Sequence, residues 1–261
     1  MSPILAQLSM DFAANSVVQS ITLYLFFAGI VGMGAGAVYL FLERSSVPPQ
    51  YRSAVTASGL VCAIACFHYY KMTTQYMTGE SFPTALRYID WLFTTPLLLI
   101  KFPMLLRLGS KGKSLFRNLV LLDIGMIVTA FIAETSPVGG GSWWGFFIVA
   151  CIFELGIVGL LYGSMSEAIN RQPAPIASAI RLMRLFILVG WAVYPIGFLM
   201  ALAGAGEYRE IVYNIADVIN KVGFGLVALH GIQSLVQTEA ARTRHPELYV
   251  DAPAPAETVV G

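Results

Sequence analysis

The chain has 261 residues, of which 57% are hydrophobic and only 12% charged, with a formal net charge of +1. Its mean hydropathy is +0.70. A soluble domain carries roughly twice that charged fraction, so the composition excludes an ordinary soluble globular protein, and the neutral balance gives no footing for nucleic acid.

The first residues, MSPILAQLSMDFAANS, lack the basic segment that opens a cleavable signal peptide. Seven apolar stretches follow, each near the ~20 residues that cross a bilayer. They run Ser16–Leu42, Ala54–Met77, Pro83–Leu106, Leu115–Ala133, Ser142–Met165, Ala177–Ala203 and Ile211–Val236. The links SSVPPQ, GSKGK, SPVGGGS and NRQPAP hold the turn chemistry. The fold class expected is an all-α membrane protein, a seven-transmembrane-helix bundle over residues 1–240. Residues 241–261 form a polar tail with Pro and Ala, expected to be disordered.

Basic residues set the orientation. Arg44, Arg52, Arg107, Lys111, Lys113, Arg117, Arg171, Arg181, Arg184, Arg242 and Arg244 fall on one side, while the other holds little besides Arg209. The positive-inside rule then puts the N-terminus outside and the C-terminus in the cytoplasm, as expected of a multi-pass protein of the inner (plasma) membrane. Cys62, Cys66 and Cys151 lie in apolar runs without metal-type spacing and read as small buried hydrophobes.

Several ionisable residues remain inside the spans. Helix two carries His68, with Lys71 near its outer end; helix three carries Arg87, Asp90 and Lys101. Asp123, Glu154, Asp217 and Lys221 follow on helices four, five and seven. Charge in hydrocarbon is costly, so each is a functional candidate. At about 100° per residue, Asp90 and Thr94 lie ~40° apart and Asp90 and Lys101 ~20° apart, over about 16 Å of axis. Arg87, Asp90, Thr94 and Lys101 therefore share a face that must look into the bundle. Spacing alone leaves two readings open: a chain of proton-carrying groups, or a structural ion-pair network with Lys101 snorkelling to the inner interface.

Helix seven, YNIADVINKVGFGLVAL, puts Asp217 one turn before Lys221. A mid-membrane lysine must be neutral, paired or covalently modified, and a desolvated amine is a good Schiff-base nucleophile. Asp217 and Asp90 would neutralise the resulting iminium. Trp191, Tyr194 and Pro195 in GWAVYPIG, with Trp91 beside the stripe, suit the walls of a chromophore slot, although any one of them alone reads as packing.

Three motifs, RYIDWLFTTPLLL on helix three, WAVYPIG on helix six and DVINKVGFG on helix seven, together resemble those of the microbial (type 1) rhodopsins over nearly the whole chain. The resemblance implies all-trans retinal held as a protonated Schiff base on Lys221. It implies that Asp90 is the primary proton acceptor and Asp217 the second counterion. Arg87 would order water beneath them, and Thr94 would bridge towards the acceptor. Trp91, Leu98, Met126, Trp191, Tyr194, Pro195 and Phe198 fall at retinal-pocket positions. Phe198 stands where a tryptophan is common, and leucine at Leu98 implies green absorption.

FHYYKM on helix two is similar to the proteorhodopsin-like pumps, which implies that His68 hydrogen-bonds the acceptor and that Tyr69 bonds the helix-seven counterion. The departure is Lys101, where most outward pumps carry a carboxylate; a smaller group with TTPLLL-x-KFP has lysine. Such a donor is expected to rest neutral, take a proton from the cytoplasm and pass it on. Chloride pumps need a neutral acceptor position, and sodium pumps carry Asn, Asp and Gln where this chain has Asp90, Thr94 and Lys101. Outward proton transport is therefore expected, with a sensor acting through a separate transducer as the alternative. A G-protein-coupled receptor is disfavoured by the missing helix-end motifs, and a channel by the donor–acceptor pair.

Asp123 matches a position that often bears a protonated carboxyl near the retinal ring. Glu154 has no assigned role beyond protonation or a protomer contact, and Glu207 and Glu210 are expected in a solvated loop rather than as proton-release groups. A carotenoid antenna would need a glycine on helix five; Phe146, not the adjacent Gly145, falls at that position, so none is expected. The partners implied are retinal, protons, the lipid bilayer and further copies of the chain in a pentamer or hexamer.

Overall fold

In the computed structural model, residues 17–78 and 84–245 are described, and among them there is no β-strand. Seven helices are long and apolar enough to cross a membrane: α1 (Val17–Ser46), α2 (Pro49–Met77), α3 (Thr84–Leu106), α4 (Gly112–Glu134), α5 (Gly141–Ser164), α6 (Ala174–Leu199) and α7 (Gly206–Arg244). Helix is the form these apolar runs must take, because hydrocarbon offers the backbone no partner and each N–H and C=O must be satisfied within its own segment.

The expected spans recur with two notable differences. α7 begins before Ile211 and runs past Val236 to Arg244. Its first turns carry Glu207, Arg209 and Glu210 in a helix, not a loop. The proposed disordered tail overlaps this helix at 241–244, and from residue 246 it lies outside the described residues. The helix of α4 likewise starts at Gly109, several residues before Leu115.

Successive helices pack from α1 to α5, α6 packs on α7, and α7 returns to α1. The ring is closed between α5 and α6 by Arg184, which donates to the Leu161 carbonyl at 3.1 Å, and by the Trp143–Phe198 stack. The outer surface is apolar: Val31, Leu155, Val189 and Ile196 are each more than half exposed, as hydrocarbon requires. The interior holds the polar residues, with Arg87, Asp90, Thr94, Lys101, Asp123, Asp217 and Lys221 all at most 2% exposed.

Local irregularities shape the centre. α3 breaks at Ile100, between Thr84–Leu99 and Lys101–Leu106. Pro96 and Pro103 flank the break; neither has an N–H to return to the preceding turn. Phe186–Gly190 in α6 and Ile219–Gly223 in α7 are π-helical turns, each one residue wider than an α-turn. The two face each other: Asn220 Nδ2 donates to the Gly190 carbonyl at 3.0 Å. Gly190 permits this contact, since a Cβ there would overlap the Asn220 side chain.

Candidate functional site

Lys221 sits in the wide turn of α7, 2% exposed. Its Nζ forms a close ion pair with Asp90 Oδ2 and lies 3.4 Å from Asp217 Oδ2. The two carboxylates differ in their company. Asp217 accepts from Tyr69 Oη at 2.8 Å, Tyr194 Oη at 2.6 Å and Trp91 Nε1 at 3.2 Å. Arg87 Nη1 stands 3.6 Å from Oδ2, the oxygen that Tyr69 also reaches. Asp90 Oδ1 accepts no hydrogen bond among the described residues.

His68 Nδ1 is 3.6 Å from that oxygen, and the same nitrogen is 3.0 Å from the Ile64 carbonyl. A carbonyl only accepts, so Nδ1 carries the proton and donates it to Ile64, leaving Asp90 Oδ1 beside the imidazole but beyond hydrogen-bond range. The expected bridge from Thr94 is different in form: its hydroxyl donates at 2.8 Å to the backbone carbonyl of Asp90, not to the carboxylate. A threonine inside a helix commonly returns its hydroxyl to the carbonyl four residues earlier.

Towards the N-terminal end of α7, Arg87 Nη2 donates to Glu210 Oε2 and to Asn214 Oδ1, both at 2.9 Å. Arg209 pairs with Glu210 at 2.9 Å and with Glu134 at 2.7 Å, and Tyr88 Oη donates to Glu134 at 2.8 Å. Glu210 is thus 5% exposed and held between two arginines, which corrects its assignment to a solvated loop. Glu207 is exposed, although helical. Sequence reasoning missed Glu134, Asn214 and the burial of Glu210. The available signal was spacing: Glu210, Asn214 and Asp217 recur at the three- and four-residue steps of one helix face.

Towards the other end, Lys101 is fully buried. Its Nζ donates to Ser58 Oγ on α2 at 3.1 Å and lies 4.3 Å from the centre of the Phe224 ring on α7. No carboxylate pairs with it among the described residues.

A cavity, partly open to the surface, extends from Lys221 and Asp217. Trp91, Leu98, Met126, Trp191, Tyr194, Pro195 and Phe198 all line it. Tyr69 does not; it holds Asp217 from behind. The α5 wall, Phe147, Ala150, Cys151 and Glu154, was not anticipated, and it places Glu154 on the cavity. Phe198 packs against both Trp143 and Phe147, with ring centres 4.3 Å and 4.6 Å away, and those two rings are themselves 6.0 Å apart. Asp123 lies behind the wall, accepting from Thr95 at 2.8 Å. Gly145 is exposed, and Phe146 beside it is partly buried.

A buried lysine between two carboxylates, at the inner end of an aromatic cavity within seven membrane helices, defines a chromophore-binding membrane protein of the rhodopsin type. Residues 20–235 match the model of the bacteriorhodopsin-like protein family, and the chain belongs to that family as a proteorhodopsin-like type 1 rhodopsin. It is 35% identical over 200 residues to green-light absorbing proteorhodopsin of Gamma-proteobacterium EBAC31A08, covering 74% of this chain and 79% of the relative. The crystal structure of Exiguobacterium sibiricum rhodopsin is 42% identical with a TM-score of 0.79, covering 84% of this chain and 98% of that one. That of xanthorhodopsin, described as a light-driven ion pump with dual chromophore, is 27% identical with a TM-score of 0.80, covering 85% and 96%.

The family implies a retinal chromophore, and the residues present fit one. The cavity walls are apolar and aromatic, and an amine meets them at the end where two carboxylates supply counter-charge. The chain is a multi-pass membrane transporter of the rhodopsin family rather than an enzyme.

Proposed function

We propose that the chain is a light-driven outward proton pump of a prokaryotic plasma membrane, with its N-terminus outside, its C-terminus cytoplasmic and further copies beside it in an oligomer. All-trans retinal, bound through Lys221, supplies the light-driven change of shape. The carrying observation is the Lys221–Asp90 ion pair with Lys101 buried further along the helix of Asp90, without a carboxylate partner among the described residues.

Lys221 Nζ holds the proton at rest. Asp217 has three hydrogen-bond donors and Arg87 around it, so its charge is already compensated. Asp90 has one oxygen without a donor, and its other oxygen touches Nζ. The proton therefore moves to Asp90, with the His68 ring beside its free oxygen. Arg87 and Glu210 continue the polar path outward. Lys101, in the opposite half, takes the replacement proton from the cytoplasm and returns it towards Lys221.

Leu98 on the cavity wall supports green absorption, and Phe146, packed against the cluster of Ala133, Trp143 and Phe198, supports a pump that works without a carotenoid antenna. The test is the pH of an unbuffered suspension of cells expressing the chain with retinal. Acidification on illumination, abolished by a protonophore, is expected. A visible pigment with no pH change would favour a sensor, and alkalinisation enhanced by a protonophore would mean that another ion moves.

A further inference from the structure

Lys101 poses a physical problem that its assignment as donor leaves open. An amine in a dry, fully buried site must accept a proton briefly and then surrender it. A paired carboxylate would hold the ammonium form permanently, while a purely aliphatic site would refuse the proton.

The surroundings are intermediate. Ser58 Oγ accepts from Lys101 Nζ at 3.1 Å, while its own proton goes to the Ala54 carbonyl at 3.1 Å. The serine therefore presents a lone pair to the amine. The second contact is the ring of Phe224, whose centre lies 4.3 Å from Nζ. An aromatic face attracts a cation through its quadrupole, and more strongly in a desolvated site. It forms no bond that must break when the proton leaves.

The ring is itself held in place. Phe224 is fully buried, with Phe102 and Phe186 edge-on to it at 5.8 Å and 6.1 Å between ring centres. Its position follows directly on the wide turn Ile219–Gly223 that carries Lys221. The seat for Lys101 and the attachment point of the chromophore are thus on consecutive turns of one helix.

We propose that Phe224 is a positioning residue for Lys101, its ring face serving as a cation–π seat that stabilises the transient ammonium during proton uptake. This rests on the reading of Lys101 as the proton donor. Substituting the ring by a flexible aliphatic side chain removes the seat while keeping the site apolar. A cation–π contact in a desolvated site is equivalent to roughly a tenfold change in rate.

The test is flash photolysis of purified, retinal-loaded protein, following recovery of the visible band. Phe224→Leu and Phe224→Met are compared with Phe224→Tyr, each in the parent chain and with Lys101→Glu. Two aliphatic variants are used so that one with altered folding does not decide the matter. In the parent background, Leu and Met slow recovery about tenfold and Tyr restores it. With Lys101→Glu, where no cation forms, the same ring changes alter recovery less than threefold, about. Equal slowing in both backgrounds, or unaltered recovery in Leu and Met, overturns the proposal. Lys101→Met alone separates the two levels: if it leaves recovery unchanged, the donor reading itself fails, whereas slowed recovery without coupling to Phe224 removes only the cation–π seat.

Discussion

Arg87 Nη2 donates to Glu210 Oε2 at 2.9 Å, joining α3 to α7 at side chains that are 2% and 7% exposed. The same carboxylate holds Arg209, whose other partner is Glu134 on α4. Three helices are thus tied together through two arginines and two glutamates. Removing one member of a buried ion pair leaves its partner uncompensated, at a cost of about 3–5 kcal/mol. Glu210→Gln is therefore expected to lower the temperature at which the visible band bleaches. Exposed Glu207→Gln should leave it unchanged. Equal bleaching of the two variants would show that the Glu210 pairs carry no stability.

The centre of the site separates attachment from transport. Lys221→Ala removes the only amine among the described residues lining the cavity and should abolish the visible band when retinal is added to the expressed protein. Asp90→Asn keeps that amine and the donors around Asp217 but gives the proton nowhere to go. It should retain a pigment, shifted in colour, with light-driven acidification at background. A pumping Asp90→Asn variant would move the acceptor role elsewhere.

Lys101 is tested by truncation. Positioned acid–base groups contribute about 10²–10⁴-fold to proton-transfer rates. Lys101→Met, similar in volume and unable to carry a proton, should slow the last phase of the photocycle by about 10²-fold while leaving the rise of the deprotonated species intact. Flash absorbance on the purified pigment reads both phases.

Much of this arrangement is legible in the chain because charge in an apolar run is conspicuous. Asp90, Lys101, Asp217 and Lys221 stand out against their spans, and helical spacing puts the first two on one face. Glu210 was not legible for the converse reason. GEYREIV is polar enough to resemble a connection, and only the fold shows that its carboxylate turns inward to two arginines. The wide turns at Phe186–Gly190 and Ile219–Gly223 have no sequence signature, since an extra residue in a turn is decided by packing. The α5 wall was hidden because that helix is apolar on every side, and uniform hydrophobicity marks no inward face. Thr94 was placed correctly, but its hydroxyl chose a backbone carbonyl, a choice of rotamer that spacing does not record.

Phe198 offers a test of the cavity's end wall. It is 5% exposed and nearly parallel to Phe147, at 3° between ring planes, and its ring centre is 4.3 Å from that of Trp143. The family often has tryptophan here, yet in this chain Trp143 and Phe147 fill the space a larger ring would need. Overpacking a well-filled site costs about 1–3 kcal/mol. Phe198→Trp should therefore slow pigment formation and lower the bleaching temperature, against the expectation from resemblance alone. Pairing it with Phe147→Ala should relieve the clash and recover part of the loss, because residues in contact do not contribute additively. If Phe198→Trp alone raises the bleaching temperature, the stack has slack that these ring spacings do not reveal.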